Sequence, residues 1–432
     1  MHLRKGFLVV AAIACGTLVP TLVHAQALSR ILPQLFGDTI VLADTGHAAH
    51  FRPGPESLET PNQFNQQLVA QLATFPLGSS SGGFTFEINP ALGTVEPRSV
   101  SFGPAFAERA LTIGRGKVNF GMNYQRATYD NFEGLDLGDG DIRFYVPHVD
   151  STGTGPLEPF FEGDVIEGTL LMKATADTWA FFVNYGLGDN VDISAAIPVV
   201  RVTIDAAVDA RILRLATTER PGIHLFDGPD PDRGRFTRNG QATGIGDVVL
   251  RGKWRFVDQP GGGLAAAVDL RLPTGDADNL LGTGATQVRP FLVGSWTTGR
   301  FSPHVNVGYT FSGESDIAVI SDEFNYTAGF DYALSPRATL AADVIGRTLI
   351  DAGRLVESDR TFQHQNVLGV RGSTTFRELR RQGGHLNLVL GAVGMKINVG
   401  GTLLLNANVL FPLTDAGLRD KFVPVIGLDY AF

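Results

Sequence analysis

The chain has 432 residues, 52 of them glycine, with one cysteine, 44% apolar and 18% charged residues and a net charge of −9. Glycine at about 12%, with no three-residue period, excludes collagen, and each glycine in a helix interior costs about 1 kcal/mol relative to alanine, which excludes an all-helical chain. The acidic balance argues against nucleic acid as a partner.

Arg4 and Lys5 precede the uncharged apolar run 7–23, which ends in Val23-His24-Ala25 before Gln26. This is the pattern of a secretory signal peptide over residues 1–25. Its removal takes Arg4, Lys5 and Cys15 with it, so the mature chain carries −11 and no cysteine. A disulfide-stapled scaffold is thereby excluded. No mature stretch reaches about 18 consecutive apolar residues, so no membrane-spanning helix is expected, which leaves a β-barrel open.

Residues 26–116 lack any long alternation. Short helices are expected at Leu28–Phe36 and Gln63–Thr74, a Gly/Ser hinge at Gly78–Gly83, and short strands at Phe84–Ile88 and Ser99–Phe106. The segment is expected either as a plug inside a barrel, or as a periplasmic extension, or as a further strand pair.

From Lys117 to Phe432 the pattern changes to period two. In 117–124, Val118, Phe120, Met122 and Tyr124 oppose Asn119, Gly121 and Asn123; in 301–311, Phe301, Val305, Val307, Tyr309 and Phe311 oppose Ser302, His304, Asn306, Gly308 and Thr310. Strict alternation specifies strands with one apolar and one polar face. Twelve such segments occur, near 117–129, 174–186, 191–204, 244–256, 264–273, 287–297, 301–312, 323–334, 338–349, 386–398, 402–412 and 422–432. Short and long connections alternate between them, as in an outer-membrane barrel with short periplasmic turns and long external loops. The expected fold is therefore all-β: an antiparallel transmembrane β-barrel over 117–432, of about twelve strands or, with an extra pair, fourteen.

Pairing across the short turns sets apolar faces together. Around 257–263 it places Arg251 opposite Asp269 and Leu250 opposite Leu270; around 298–300 it places Leu292 opposite Val305. The apolar parity of 191–197 switches after Pro198, which predicts a bulge there. The final strand ends on Phe432 with Tyr430 and Leu428 on the same face, and a terminal Phe closing an alternating strand resembles the assembly signal of bacterial outer-membrane proteins.

By parity the lumen receives Arg251, Lys253, Arg255, Asp269, Arg271 and Arg289 from three neighbouring strands, and His304, Asp331, Asp343 and Arg347 from others. These charges either set up a transverse field that selects solutes or form a salt-bridge network that stiffens a narrow barrel, with Arg251–Asp269 the leading pair. Other constellations carry less chemistry. Ser302, His304 and Asn306 share a face but are neighbours on one strand, and hydrolytic triads are defined by geometry. His47 and His50 lack a third metal ligand, and Gly282–Thr286 has no following helix to make a phosphate cradle. Asp227, Asp230, Asp232, Asp276 and Asp278 sit in oxygen-rich loops that solvent satisfies. No catalytic, cofactor or metal site is expected.

The stretches Gly244–Phe256 (GIGDVVLRGKWRF), Leu270–Gly284 (LRLPTGDADNLLGTG), Phe301–Phe311 (FSPHVNVGYTF) and Asn408–Arg419 (NVLFPLTDAGLR) resemble a family of bacterial outer-membrane proteins named for the meta pathway of phenol degradation and described as transporters. The likeness runs from about Arg109 to Phe432. It implies an outer-membrane channel that takes up small molecules, aromatic or hydrophobic, and supplies no binding residues. Expected partners are outer-membrane lipid, the barrel-assembly machinery and the solute; the rival reading is a structural or surface-binding barrel that transports nothing.

Overall fold

The computed structural model describes residues 27–37, 40–43, 51, 55–74, 76, 83–88, 95–97, 99–148, 163–219, 221–366 and 368–432. The expected signal peptide, His47 and His50 lie outside them. The alternating segments form β1 (Val118–Tyr129), β2 (Val165–Gly186), β3 (Val191–Leu213), β4 (Val249–Gln259), β5 (Gly262–Arg271), β6 (Gln287–Trp296), β7 (Phe301–Ser312), β8 (Glu323–Ser335), β9 (Ala338–Leu349), β10 (Leu386–Gly400), β11 (Leu403–Pro412) and β12 (Val423–Ala431). Each pairs antiparallel with its neighbour in sequence, and β12 returns to β1 with Val425 opposite Gln125, closing a twelve-stranded barrel. Two further strands, Ile142–Pro147 and Arg233–Ile245, pair with the far ends of β2 and β3 outside the closed ring, so the count is twelve with an additional pair.

The outward parity leaves large apolar side chains exposed all round the wall, among them Phe120, Phe181, Leu250, Leu292, Val305, Val409 and Ile426. Among the described residues no element covers this apolar surface, which fits contact with hydrocarbon. On β7 the outward positions run from Phe301 to Phe311. Ten residues at about 3.3 Å, tilted by about 40°, span roughly 25 Å, the height of the apolar band of outer-membrane barrels.

Register follows the hydrophobic pattern, with one adjustment. Arg251 faces Asp269 and Leu250 faces Leu270 as expected. Leu292, however, faces Val307 rather than Val305. Mutual hydrogen bonds between Thr298 and Phe301 close a tight turn whose centre is one residue further along, with Gly299 at φ 63°. A slip of two residues preserves both faces, so parity could not reveal it.

The bulge expected at Pro198 is absent from the β2–β3 pairing, which runs unbroken through Ala180 opposite Pro198. The alternation of burial also continues through β3 without reversal. What changes is the surroundings. Beyond Pro198 the strands project past the barrel, and their inward side chains Val200, Val202, Ile204 and Val208 pack on an apolar core while Arg201 and Asp205 face out. The pairing offset lies on the other edge of β3, between Ala196 opposite Val249 and Val199 opposite Ile245.

That core is supplied by the N-terminal segment. Helix α1 (Ile31–Gly37) buries Ile31, Leu32, Leu35 and Phe36, and the Phe36 ring lies 4.1 Å from that of Phe144. Helix α2 (Pro55–Ala73) carries two stripes at four-residue spacing, which places each stripe along one side of the helix. Phe64, Leu68 and Leu72 are buried against the apolar cap. Gln63 and Gln67 donate to the carbonyls of Ala352 and Gly353, and Gln71 accepts from the Leu418 N–H. This helix therefore closes the long-loop end. A separate hairpin, Arg354–Gln365 with Arg371–Gln382, stands beside it.

Residues 99–114 cross the lumen nearer the short-turn end as an irregular strap. The strand expected at Ser99–Phe106 does not form, because its backbone groups bond to lumen side chains instead of to a second strand.

Candidate functional site

The strap is held from six strands, β3, β4, β6, β7, β9 and β10. The N–H groups of Phe102, Phe106, Glu108, Ala110 and Ile113 donate to Thr339 Oγ1, Asp343 Oδ2, Asn306 Oδ1, Ser295 Oγ and the Asp192 carboxylate, at 2.7–3.2 Å. Asn306 Nδ2 returns a bond to the Glu108 carbonyl at 3.0 Å. Lys253 Nζ donates to the carbonyls of Arg109 and Leu111, and Lys396 Nζ to that of Phe102. Arg109 ties the strap to itself and to Gly83.

The ten lumen candidates divide into separate clusters. Arg251 forms a two-pronged pair with Asp269, Nε–Oδ1 at 2.5 Å and Nη2–Oδ2 at 2.8 Å, and also reaches Glu108 of the strap. Arg289 binds the same Asp269 carboxylate from the neighbouring strand. Lys253 lies 3.4 Å from Asp192, and Arg255 bonds Asn190 and pairs with Asp258 at the short turns. Arg347 binds Glu323 and reaches the carbonyl and hydroxyl of Thr74 just beyond α2. His304 lies between two carboxylates, with Nε2 2.5 Å from Asp343 and Nδ1 3.6 Å from Asp331. Arg271 stands on the wall between these groups.

Between the end of α2 and the strap the lumen holds a chamber of about 180 Å³. Thr74 and Pro76 bound it on one side, and Phe106 and Glu108 on the other. Its wall carries the Arg251, Arg271, Arg289 and Arg347 guanidiniums together with Phe182 and Phe291. Both Arg251 and Arg289 lie against the Phe291 ring, with guanidinium carbons 5.1 and 4.9 Å from its centre. Glu323 was legible as an inward-parity carboxylate, two residues along β8 from Asn325, which faces Arg347; Phe106 and Glu108 carried no signal, since their placement depends on the path of an irregular segment.

Ser302, His304 and Asn306 do not act together. Ser302 meets Thr297, His304 meets the two aspartates, and Asn306 meets the strap. The Gly282–Thr286 loop is fixed to Asp247 through the Thr283 N–H and hydroxyl. Asp232 pairs with Arg214, Asp230 lies 3.5 Å from Arg233, and Asp276 bonds Asn279. Among the described residues no three His, Cys, Asp or Glu side chains are grouped to hold a metal ion. At the short-turn end the Phe432 ring packs on Tyr430 and Phe120, with centroids 4.6 and 5.9 Å away.

Outside the barrel wall, Asp164 is fully buried and accepts hydrogen bonds from the N–H groups of Ala216 and Thr217, the Thr217 hydroxyl and His224. Burial pushes its carboxyl pKa up, but the hydrogen bonds from His224, Thr217 and Ala216 outweigh burial and hold it below the ordinary carboxylate value. The tie holds His224 at φ 59°.

Residues 164–376 match the family described as "Putative MetA-pathway of phenol degradation". No curated protein matches the chain in sequence. Among solved structures, the chain is similar to an outer membrane channel from Pseudomonas putida F1 at 13% identity and a TM-score of 0.44, over 75% of this chain and 98% of that one. It is also similar to a Pseudomonas aeruginosa FadL homologue at 12% identity and a TM-score of 0.32, over 81% and 94%. A third is the translocator domain of the autotransporter NalP from Neisseria meningitidis, at 12% identity and a TM-score of 0.36, over 74% and 89%.

Proposed function

We propose, from the premise that the chain is a β-barrel carrying this phenol-degradation family over residues 164–376, that it is an outer-membrane channel for uptake of small aromatic or hydrophobic molecules. The observation that carries the reading is the chamber of about 180 Å³ inside a closed barrel whose outer wall is apolar. The short turns face the periplasm and the long loops the exterior, in keeping with export followed by insertion of the Phe432 end. A solute enters beside α2, rests in the chamber and leaves past the strap. Twelve strands lie between the eight that side chains fill and the sixteen or more that leave an open aqueous channel, so an internal segment of this size suffices to obstruct the path.

Loosening the strap is therefore the step that admits flow. The test is the full chain in planar bilayers and in liposomes. Small conductance and solute entry, both raised when the strap is weakened, are expected. Neither conductance nor entry, in the native chain or with the strap weakened, would overturn the reading.

A further inference from the structure

We infer that a side pocket adjoining the chamber, between the end of α2 and the segment 412–419, is a binding site for the carbonyl oxygen of a small neutral solute, such as a ketone, aldehyde, ester or amide. This rests on the channel reading and names the class of molecule that such a channel selects beside α2. The pocket holds about 50 Å³. Pro76, Ile345 and Arg347 line both it and the chamber, so the two spaces are neighbours. Ile345, Leu388, Leu390, Pro412 and Leu418 give it apolar walls. Apolar walls with a few polar groups aimed inward are the usual form of a small-molecule site. A volume of about 50 Å³ exceeds the roughly 10–15 Å³ that one water needs and falls short of the roughly 150 Å³ that takes benzene. It therefore receives the polar end of a solute whose remainder lies in the chamber.

The polar groups select an acceptor. Gln71 Nε2, the Tyr129 hydroxyl and Arg419 Nε belong to the lining, are buried and have no hydrogen-bond partner. Tyr129 is 2% exposed and Gln71 5%. The Gln71 amide cannot turn over to relieve this. Its Oε1 accepts from the Leu418 N–H at 2.8 Å, and a reversed amide would set two donors against each other. Arg419 is equally fixed, with Nη1 donating to Asp415 and the Thr414 carbonyl and Nη2 to the Asn131 side-chain oxygen, which leaves its Nε–H over. Buried donors without acceptors are costly, and a carbonyl oxygen relieves them best: it has two lone pairs and brings no proton that needs a partner in turn.

Charge keeps the solute neutral. Arg347 pairs with Glu323, Arg419 with Asp415, Arg354 with Glu133 and Lys421 with Asp130. On the chamber side Arg271 stands against the buried Asp247. Asp420 accepts from the N–H groups of Thr128 and Phe422, next to Tyr129. These groups leave no positive charge in excess, so an anion in the pocket would be buried without a counter-charge.

The test is equilibrium dialysis of the purified full chain in detergent against acetophenone, ethylbenzene and benzoate at neutral pH, with uptake of each by the same detergent alone subtracted. Acetophenone and ethylbenzene are close in size and differ in the carbonyl. Acetophenone is expected to bind about tenfold more tightly than either of the others, the gain from two hydrogen bonds to otherwise unpaired donors. Tyr129→Phe, and Gln71→Glu, which keeps the acceptor for the Leu418 N–H, are each expected to weaken acetophenone about fivefold and to leave ethylbenzene within about twofold. The urea midpoint of Tyr129→Phe should equal or exceed that of the native chain, since the hydroxyl makes no bond without a ligand. A lowered midpoint with acetophenone affinity intact would assign the hydroxyl to the fold and overturn the proposal. Equal binding of acetophenone and ethylbenzene to the native chain would mean that the donors hold water only, and would overturn it without recourse to any variant. Conductance and solute entry with the same preparation separate the two readings. A conducting channel without carbonyl preference sinks the side pocket alone, whereas acetophenone preference in a barrel that neither conducts nor admits solute sinks the channel alone.

Discussion

Asn306→Ala isolates the hold of the barrel on its strap. Asn306 gives the strap two bonds at one residue, accepting from the Glu108 N–H at 2.7 Å and donating to the Glu108 carbonyl at 3.0 Å. Truncation leaves both backbone groups without those partners in a buried site. Each orphaned group costs about 1–3 kcal/mol, and lumen water recovers part of it, so the held state should lose about 2–4 kcal/mol. At a factor of ten for each 1.4 kcal/mol, the population of the released strap should rise roughly 30- to 1,000-fold. Amide hydrogen exchange reads that population directly. Exchange at 102–113 should accelerate by that factor while the amides of β7 and its neighbours keep their protection, and conductance should rise in parallel. Unchanged exchange at 102–113 would refute the account of how the strap is fixed. Acceleration across the whole barrel would show instead that Asn306 supports the wall.

Three further outcomes are expected. Tyr326 stands directly opposite Gly346 and its ring occupies the space where a Cβ would project, so Gly346→Ala should lower barrel stability by about 1–3 kcal/mol, read as a shift of the urea midpoint in detergent. Phe432→Ala should reduce the yield of folded barrel in the outer membrane several-fold, while the refolded protein changes little, because the ring is largely exposed and packs on the exposed Tyr430 and Phe120; equal yields of both chains would discard the terminal signal. The Asp164 tie should be fully effective above the ordinary carboxylate pKa, near pH 4, and be lost as pH falls through the lowered folded value, since protonation removes an acceptor that folding favours in its charged form. Amides of 214–219 should lose protection over that acid range, and Asp164→Asn should abolish the dependence while loosening the loop at neutral pH.

The barrel was legible because its two faces meet different media. Val305 and Val307 against His304 and Asn306 state which side meets hydrocarbon, and a period of two allows only one parity to satisfy that. Arg251 opposite Asp269 was readable for the same reason, since both the short turn and the polar face fixed their register. The ten inward candidates were named from parity alone, but their division into an arginine wall, a histidine between two aspartates and a strap-binding Lys253 was not. Those groupings depend on barrel curvature and on the strap.

Local pattern misled where the medium changed along one strand. Val200, Val202 and Ile204 looked like a reversal of β3, although the strand keeps its facing and simply leaves the membrane band for a packed cap. The sequence by itself determined twelve alternating spans, their outward faces, the order of short turns and long loops, and closure by the strand ending in Phe432. Only the tertiary structure decided that α2 closes one end and residues 99–114 cross the other, leaving a chamber between them. An irregular segment has no period to read, and its path is set by the side chains of six distant strands that hydrogen-bond its backbone.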